Sequence, residues 1–562
     1  MHEHRFPYRP PEELASGRRG HSRVAIVGAG PIGLCAAIDL AQYGIDTVLL
    51  EQDDQLGAGS RAICFAKRTL EILDRLGVGQ RAVERGVVWH VGKVFLRDHL
   101  LYQFDLLPEA GHKRPAFINL QQYYLQEFLI ERALETQRVD LRWRNRVCGV
   151  RPQAQGVALQ IETPDGTYGL DCDYLLACDG ARSPVRSLLD LEASGQVFRD
   201  RFLIADVKME ASFPIERWFW FDPPFHRNQS VLLHRQADNV WRIDFQLGWD
   251  ADPELERRPE RVIPRIRAML GEQVDFTLEW VSVYTFRCQR MERFRHGRVF
   301  FLGDAAHQVS PFGARGANGG IQDADNLIWK LALVLNGHAR DRLLDSYDTE
   351  RIPAADENIL NSTRSTDFIT PKSRASRILR DATLQLARDH AFARKLVNSG
   401  RLSLPHAYLA SPLNTLSGDR FAGAVRPGAP ALDAPLLGAD GSAWLIDLFG
   451  NRFSAIYCAG SKVPDEALVA RLLGMQRLAL PVHPIVLCST GCAQPWRASG
   501  VAAYEDVEEY FAQRYDATPD SVYLMRPDQH LAARWRHLEL RGLREALARA
   551  IGQEAEEASW AS

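Results

Sequence analysis

Long apolar runs are scarce in this sequence of 562 residues. A membrane-spanning helix needs about 20 mostly apolar residues in succession, but the most apolar stretch, residues 24–41, is repeatedly interrupted. The interrupting residues are Gly28, Gly30, Pro31, Gly33 and Asp39. We therefore predict no transmembrane helix and no membrane partner.

An excess of charge of either sign is also missing. The chain has 68 Lys and Arg against 71 Asp and Glu, which gives a formal net charge of -3. So balanced a surface produces no strong field to attract nucleic acid or an anionic membrane. We expect a small-molecule ligand and no nucleic-acid partner.

Paired cysteine motifs are absent as well. The nine cysteines lack the spacing of a zinc site or of a disulfide framework, which predicts reduced thiols and no bound metal. Residues 1–22 form a charged, proline-containing tail without the basic-then-apolar order of a secretory signal. We expect the protein to be cytoplasmic.

What the sequence does contain is a strand–turn–helix–strand pattern near its N-terminus. An apolar run at Val24–Val27 precedes a glycine-rich turn, a helical stretch at Ile32–Tyr43 and a second strand at Thr47–Leu50. Parallel strands joined by a helix imply a sheet that is covered on both faces. We predict a Rossmann-like α/β domain here.

Two further patterns follow along the chain. Between about residues 207 and 285 apolar and polar residues alternate, as in Trp241–Leu247, which predicts an antiparallel sheet. Helical spacing returns after Gly303 and stops at Asn336-Gly337, so the first domain is predicted to be discontinuous. A Pro/Gly-rich stretch at residues 426–430 marks a boundary before a third domain.

The glycine-rich turn predicts a dinucleotide site. In Gly28-Ala29-Gly30-Pro31-Ile32-Gly33 the first glycine permits the turn, the second admits a pyrophosphate, and the third lets helix and strand pack closely. Glu51 ends the second strand, where its carboxylate can accept hydrogen bonds from ribose hydroxyls and would repel a 2′-phosphate. This favours FAD or NAD over NADP as the ligand of the turn.

Two downstream segments favour FAD. One is Cys178-Asp179-Gly180-Ala181-Arg182-Ser183-Pro184-Val185-Arg186, and the other is Gly303-Asp304-Ala305-Ala306-His307, which continues through Pro311, Gly316, Asn318, Asp323 and Trp329-Lys330. Over about residues 23–353 the sequence resembles the class A flavoprotein aromatic hydroxylases, FAD-dependent monooxygenases such as phenol hydroxylase and 3-(3-hydroxyphenyl)propionate hydroxylase.

The resemblance implies roles for individual residues. Asp304 would accept hydrogen bonds from the ribitol of FAD, and the amides at residues 316–318, at the positive end of a helix, would stabilise charge on the reduced flavin. Asp179 and Arg182 would serve both FAD and the nicotinamide donor. The predicted FAD-binding residues are Gly28, Gly30, Pro31, Gly33, Glu51, Gln52, Arg61, Gln122, Val147, Asp179, Gly303, Asp304, Pro311, Gly316, Ala317 and Asn318.

The same resemblance implies the reaction. NADH or NADPH would reduce FAD, and the reduced flavin would capture O2 as a C4a-hydroperoxide that hydroxylates a phenolic substrate, as in the catabolism of aromatic compounds. The chain has one glycine turn of this type, which fits a nicotinamide donor that binds only transiently. The choice between NADH and NADPH, and the identity of the phenol, are left open.

The strand predicted at Trp241–Leu247 supplies candidate substrate-facing residues. Arg242, Asp244 and Gln246 share one face, which contacts either the substrate or solvent. Tyr284 is either a substrate contact, as in related phenol hydroxylases, or an ordinary core tyrosine. No aspartate that could activate the substrate follows Arg61, so no base is identified, and we expect His307 to make a structural contact.

The predicted architecture is α/β: a discontinuous Rossmann-like FAD-binding domain, an antiparallel substrate domain and a thioredoxin-like C-terminal domain. The segments are a polar tail (1–22), a first FAD-binding segment (23–195), a middle domain (196–290), a second FAD-binding segment (291–370), a helical linker (371–416) and a C-terminal domain (417–562). Cys488 and Cys492 have three residues between them, unlike the Cys-x-x-Cys of a redox site. We expect the last domain to be structural and to pack in a homodimer.

The sequence also allows functions other than aromatic hydroxylation. A polyketide-tailoring epoxidase or Baeyer–Villiger monooxygenase would carry the same flavin motifs. A flavin halogenase is less favoured, because Trp218-Phe219-Trp220 is not followed by the Trp-x-Trp-x-Ile-Pro pattern of that family. A non-catalytic flavin-binding interaction protein is the third alternative.

Overall fold

The computed structural model describes residues 5–56, 62–211, 213–397, 402–423 and 425–553. The strands up to residue 190 are β1 (Gly20–Val27), β2 (Thr47–Glu51), β3 (Cys64–Ala66), β4 (Val87–Trp89), β5 (Val91–Leu96), β6 (His99–Asp105), β7 (Phe117–Asn119), β8 (Val139–Trp143), β9 (Arg146–Gln153), β10 (Gly156–Thr163) and β11 (Gly166–Ala177). The helices of this region are α1 (Glu12–Ser16), α2 (Pro31–Gln42), α3 (Lys67–Leu76), α4 (Gly79–Arg85), α5 (Gln122–Glu135) and α6 (Pro184–Leu188).

The central region has long strands followed by long helices. Its strands are β12 (Ala193–Lys208), β13 (Arg217–Phe221), β14 (Ser230–Arg235), β15 (Val240–Leu247), β16 (Thr277–Met291), β17 (Arg295–His296), β18 (Val299–Phe301) and β19 (His307–Gln308). Its helices are α7 (Pro253–Glu256), α8 (Pro259–Leu270), α9 (Gly316–Leu335), α10 (Ser346–Ile369), α11 (Arg374–Asp389) and α12 (Ala391–Leu396).

The C-terminal region alternates strands and helices. Its strands are β20 (Pro435–Gly438), β21 (Gly441–Trp444), β22 (Phe453–Gly460), β23 (Val482–Cys488), β24 (Ala503–Glu505), β25 (Val522–Met525) and β26 (Leu531–Trp535). Its helices are α13 (Glu466–Gly474), α14 (Gln494–Ala498), α15 (Tyr510–Tyr515) and α16 (Leu540–Ala550).

The first sheet is the predicted α/β layer. Its strands run in the order β17-β18-β11-β1-β2-β8, and β1 is parallel to both β2 and β11. Val24 and Ile26 on β1 are fully buried, and α2 connects β1 to β2 with an almost continuously buried sequence. Because β18 pairs with β11, distant parts of the chain build this sheet.

The second sheet covers the first domain and differs from its predicted extent. Its order is β19-β16-β12-β15-β14-β13-β5-β6, antiparallel apart from the pairing of β13 with β5. The strands β5 and β6 come from residues 91–105, well before the predicted middle domain of 196–290. Alternation within one segment could not reveal this pairing, because β5 and β13 are far apart in sequence.

The N-terminal segment is also more ordered than a polar tail. Phe6 stacks on Trp143 with ring centroids 4.1 Å apart, and Arg19 pairs with Asp171 at 2.7 Å. These contacts dock residues 5–19 on the first domain. None of the helices in the described ranges is both long and apolar enough to cross a membrane.

The C-terminal region forms a mixed sheet in the order β21-β20-β24-β23-β22-β25-β26. β22, β23 and β24 are mutually parallel, whereas β25 and β26 are antiparallel to their neighbours. One face of this sheet packs on the first domain, where Trp329 of α9 contacts Phe453 at 5.7 Å between ring centroids. The two regions therefore share a hydrophobic core.

Candidate active site

The glycine turn follows β1 and begins one large cavity. Gly28 has φ +102°, and a Cβ there would lie 2.5 Å from the carbonyl oxygen of Cys178. A Cβ on Gly33 would lie 2.1 Å from the carbonyl oxygen of Gly28. Gly30 has nothing within 4 Å of its Cβ position. Packing therefore requires the first and third glycines, whereas the second keeps space open before α2.

The open space lies at the start of α2, where backbone amides are available to an anion. Gly30 is the N-cap residue and provides no side-chain cap, so the first amides of the helix lack that partner. Glu51, at the end of β2, accepts a hydrogen bond from the amide of Ala29 at 2.8 Å and also lines the cavity. Burial raises the pKa of Glu51. This end of the cavity suits a phosphate beside a ribose.

Asp179 follows β11 and lies beside the glycine turn, where a Cβ on Gly28 would be 3.1 Å from its Cα. Its Oδ2 accepts a hydrogen bond from the amide of Val185 at 2.9 Å, while its Oδ1 is buried and has no hydrogen-bond partner among the described residues. Leaving a buried acceptor unsatisfied costs about 1–3 kcal/mol. A ligand that donates to Asp179 would remove that cost. Arg182, the other predicted residue of this motif, is exposed and does not line the cavity.

The start of α9 is a second helix N-terminus that lines the cavity. Gly316, Ala317 and Asn318 are its first residues and line the cavity together with Asp304. The side chain of Asn318 is already engaged, because it accepts from the amide of Ala66 at 2.8 Å and donates to the carbonyl of Cys64 at 2.9 Å. Only the backbone of Asn318 is therefore left to face a ligand.

Most of the predicted FAD-binding residues meet at this cavity. Those that line it are Gly28, Gly30, Pro31, Glu51, Gln52, Gln122, Val147, Asp179, Asp304, Pro311, Gly316, Ala317 and Asn318. Gly33 and Gly303 are not among its lining residues. Gly303 has φ +59° and donates its amide to Asp323 at 2.9 Å, so it shapes the turn that presents Asp304. Arg61 lies outside the described residues.

His307 lies just beyond the turn that carries Gly303 and Asp304. It is buried, and its Nε2 contacts Asp323 Oδ2 at 2.7 Å, while Arg351 holds the other oxygen of Asp323 at 2.7 Å. The histidine does not line the cavity. The predicted structural contact is therefore present, and it connects the turn at Gly303 to α9 and α10.

The second sheet forms the other wall of the same cavity. Its face presents cross-strand rows: Asp206 lies opposite both Trp280 and Arg242, and Arg242 lies opposite His234. In the next row Asp244 lies between Ile204 and Leu232. Thus the face of β15 predicted to meet substrate or solvent lines a cavity of about 460 Å³.

Three of the four predicted substrate residues line this space, namely Arg242, Asp244 and Tyr284. Gln246 does not, contrary to the prediction. It is buried, and its Oε1 accepts a hydrogen bond from the amide of Ser230 at 3.0 Å. Alternation placed it on the correct face, but that face continues beyond the cavity into the protein interior.

The sequence interpretation missed several polar and aromatic residues of this wall: Cys64, Arg217, His234 and Trp280. A weak signal existed for His234, because period-two spacing from Leu232 places both on one face of β14. The others could be found only from the pairing of strands.

Asp244 is a half-buried acid whose ionisation should make the stability of the protein depend on pH. Its Oδ1 has no partner within the described residues, and burial raises its pKa from 3.8 to about 6 against the opposing field of Arg242. An acid whose folded pKa is raised destabilises the folded state when it is ionised. We expect Asp244→Asn to raise the free energy of unfolding at pH 7.5 by about 1–3 kcal/mol.

The sign of the pH dependence follows from proton uptake. Between pH 6 and 3.8 the folded wild type binds a proton that the unfolded chain does not, so the advantage of the variant should shrink as the pH falls through this window. Urea unfolding of both proteins from pH 7.5 to 5 measures this difference in the free energy of unfolding. Asp250→Asn, an exposed change just beyond the same strand, is the control. A difference that does not vary with pH would contradict the prediction.

Comparison with known proteins identifies the class. A family model described as "FAD binding domain" matches residues 21–362, more than half of the 562 residues. The chain therefore belongs to this family of FAD-binding proteins.

Full-length relatives define the class further. The 12-dehydrotetracycline 5-monooxygenase/anhydrotetracycline 6-monooxygenase of Streptomyces rimosus is 30% identical over 532 residues, covering 90% of this chain and 94% of that protein. A 3-(3-hydroxy-phenyl)propionate/3-hydroxycinnamic acid hydroxylase of Burkholderia cenocepacia is 28% identical over 535 residues, covering 92% and 95%. The chain is an enzyme of the FAD-dependent monooxygenase family, as its motifs predicted.

Solved structures agree on the fold. A flavin-dependent monooxygenase crystallised with FAD and substrate matches with a TM-score of 0.78 at 22% identity, covering 95% of this chain and 99% of that one. Anhydrotetracycline hydroxylase from Streptomyces rimosus matches with a TM-score of 0.68 at 25% identity, covering 95% and 100%.

Within the described residues no cluster of His, Cys, Asp and Glu could hold a metal ion.

Proposed function

We propose that the cavity holds FAD along the first domain and a phenolic substrate against the second sheet, and that the enzyme hydroxylates this substrate. The observation that carries the proposal is the continuity of the cavity: one space reaches from Gly30 and Asp179 to Asp244 and Tyr284. A cofactor anchored at the turn and a ring against the sheet would therefore meet inside it.

Each end of the cavity fits its portion of the cofactor. The turn at Gly30 and the amides of α2 would bind the pyrophosphate, Glu51 the adenosine ribose, and Asp304 the ribitol. Asp179, with its unsatisfied Oδ1, would accept a hydrogen bond from the cofactor. The positive end of α9 at Gly316 would face the flavin ring and favour negative charge on it.

The protein's own contribution to the reaction would be to bind, orient and exclude water. Bound FAD, with NADH or NADPH and O2 as co-substrates, would supply the activated oxygen. Ile204, Leu232 and Phe312 form an apolar lining that would keep water away from it. Arg242, Asp244 and Tyr284 would contact the substrate from the sheet.

The relatives favour a second substrate class, polycyclic polyketides. A protein named 6-methylpretetramide 4-monooxygenase from Streptomyces rimosus is 29% identical over 546 residues, covering 91% of this chain and 90% of that protein. Tyr284 is 36% exposed at the edge of the cavity, which leaves a route for a substrate that extends beyond one ring. Simple phenols remain the first proposal, and polyketide tailoring is the alternative.

Reduction and product formation test the proposed function. NADH and NADPH, each in separate anaerobic mixtures with the purified holoenzyme, should bleach the flavin absorbance, and a phenol that is hydroxylated should accelerate the bleaching. Under air, chromatography and mass spectrometry should find a product heavier by one oxygen atom, labelled by 18O2. Bleaching that yields only hydrogen peroxide with every phenol and polyketide tested would reject the proposal.

The domain organisation, the oligomeric state and the location of the enzyme are also proposals. We propose that residues 23–195 and 291–370 form the FAD-binding domain around the middle domain, now extended by β5 and β6. The mixed sheet beyond residue 417 would be a thioredoxin-like domain without redox function that packs in a homodimer, and the enzyme would act in the cytoplasm. A chain truncated near Asn414 that is monomeric would support the dimer role.

A further inference from the structure

A group of buried polar side chains lies on the sheet side of the cavity. Cys64, Arg217 and His234 line it, and none of them is more than 9% exposed. We call these three residues the inner polar cluster. The proposed function brings a phenol to this cavity, yet it assigns no residue to the phenolic hydroxyl.

Hydrogen bonds around Cys64 determine which ring nitrogen of His234 carries the proton. The Cys64 thiol donates to Asn119 Oδ1 at 3.1 Å, and Asn119 is oriented by donating its own amide to the carbonyl of Arg235 at 2.8 Å. The sulfur therefore has no hydrogen left for His234 Nδ1, 3.9 Å away, and can only accept one. We therefore assign the proton to Nδ1, which leaves a lone pair on Nε2.

The Nε2 atom of His234 and a donor on the neighbouring Arg217, Nη1, both lack a hydrogen-bond partner among the described residues. Burial, together with the charges of Arg217 and Arg242, lowers the pKa of His234 well below its usual value, so the ring is neutral near pH 7. The two side chains lie on adjacent strands, β14 and β13.

Within the described residues Arg217 lacks the directly paired carboxylate that Arg242 has. Asp206 neutralises Arg242 through two hydrogen bonds of 2.7 Å. Arg217 lies 5.9 Å from the ring of Trp89, and among the described residues no carboxylate is within ion-pair distance of it. The charged and titratable groups around His234 are thus Cys64 of β3, Asp206 of β12, Arg217 of β13, and Arg242 and Asp244 of β15.

We propose that His234 and Arg217 bind the phenolic hydroxyl of the substrate. Its proton passes to His234 Nε2 as the oxyanion forms beside both side chains, and the negative charge of this oxyanion offsets the field of Arg217 and Arg242 that disfavours a protonated His234 in the free enzyme. The O–H bond breaks, its electron pair stays on oxygen, and an N–H bond forms at Nε2. A ligand that pairs with both groups removes the cost of leaving two polar groups unsatisfied in the protein interior. The inference rests on the proposed function, because phenolate formation makes the ring more nucleophilic toward the activated oxygen.

A chromophoric phenol tests the pair in the holoenzyme without turnover. 4-Nitrophenol absorbs visible light only as the phenolate, so difference spectra below its solution pKa report deprotonation on binding. We expect the phenolate band with the wild type. Arg217→Met should weaken binding about 10- to 100-fold. His234→Gln should still bind 4-nitrophenol but hold it as the neutral phenol over this pH range.

Matched controls lie on or beside the same strands. Arg235 follows His234, but its Nη2 donates to Asn239 at 2.6 Å and it does not line the cavity. His226 contacts the carbonyl of Gln246 at 2.6 Å and is also outside the cavity lining. Arg235→Met and His226→Gln should both bind 4-nitrophenol as the phenolate with wild-type affinity.

Several outcomes would overturn the inference: no phenolate band with the wild type, an unchanged band in His234→Gln, or unchanged affinity in Arg217→Met. Tighter binding of 4-nitrobenzoate than of 4-nitrophenol would do the same, because it would make Arg217 a carboxylate site. If hydroxylated product still forms, the proposed function stands. A phenolate band without product from any substrate would instead reject that function and leave the binding pair.

Discussion

Replacing Gly30 with valine should abolish FAD binding while leaving the fold intact. The Cβ position at Gly30 has open space around it, and its φ of −71° is one that valine adopts readily. The branched side chain would occupy the approach to the amides of α2, where a pyrophosphate is expected. Losing two or more charge-assisted hydrogen bonds should weaken FAD binding by at least about 100-fold.

The fold should change little, because the loss of a glycine N-cap costs about 1 kcal/mol or less. The flavin content of the purified variant, its affinity for added FAD and its thermal unfolding measure the two effects separately. Gly248→Val is the control, since Gly248 also has nothing within 4 Å of its Cβ position but lies beyond β15. A Gly30→Val protein that keeps its flavin would contradict this placement of the pyrophosphate.

The neighbouring glycines Gly28 and Gly33 are required for a different reason, because the fold itself leaves no room for a side chain there. A side chain at Gly28 or Gly33 would meet backbone atoms at 2.5 and 2.1 Å, so these substitutions should prevent correct folding rather than only ligand binding. The sequence pattern predicts all three positions because the turn is local. Its geometry depends on residues that are adjacent in the chain.

Long-range pairing explains what the sequence could not reveal. Alternation along β15 predicted that Arg242 and Asp244 share a face, and the structure agrees. The partners that complete that face, Asp206 on β12 and His234 on β14, follow from strand register, which is decided by packing across the sheet. The alternation pattern therefore could not single out His234, which we propose as the substrate base.

The same limitation applies to the C-terminal region. The role of the segment Tyr523–Asp528 is visible only where it meets α9 and α10. Arg526 is fully buried and donates to Glu350 through Nη1 at 2.6 Å and Nη2 at 3.0 Å. Lys330 and Asn326 donate to the same carboxylate, each at 2.7 Å. The hydroxyl of Ser411 also donates to Glu350, so five side chains from separate parts of the chain share one buried site.

Breaking this buried network should produce the largest loss of stability. Arg526→Met keeps the length of the side chain but removes the charge that pairs with Glu350. Lys330 still pairs with Glu350 in this variant, but the buried carboxylate of Asp528 loses its guanidinium partner. Removing one partner of a buried ion pair costs about 3–5 kcal/mol. The guanidinium also lies 5.2 Å from the ring of Trp329, a cation–π contact that methionine replaces only incompletely.

A second ion pair between the same two regions gives the control. Lys113 contacts Asp447 at 2.7 Å, but the aspartate side chain is 40% exposed. Exposed pairs contribute about 0–1 kcal/mol, so Asp447→Asn should leave the free energy of unfolding nearly unchanged. Urea unfolding followed by tryptophan fluorescence compares the variants, since Trp329 lies in the shared core. Equal losses in Arg526→Met and Asp447→Asn would show that burial of the network does not control docking of the C-terminal region.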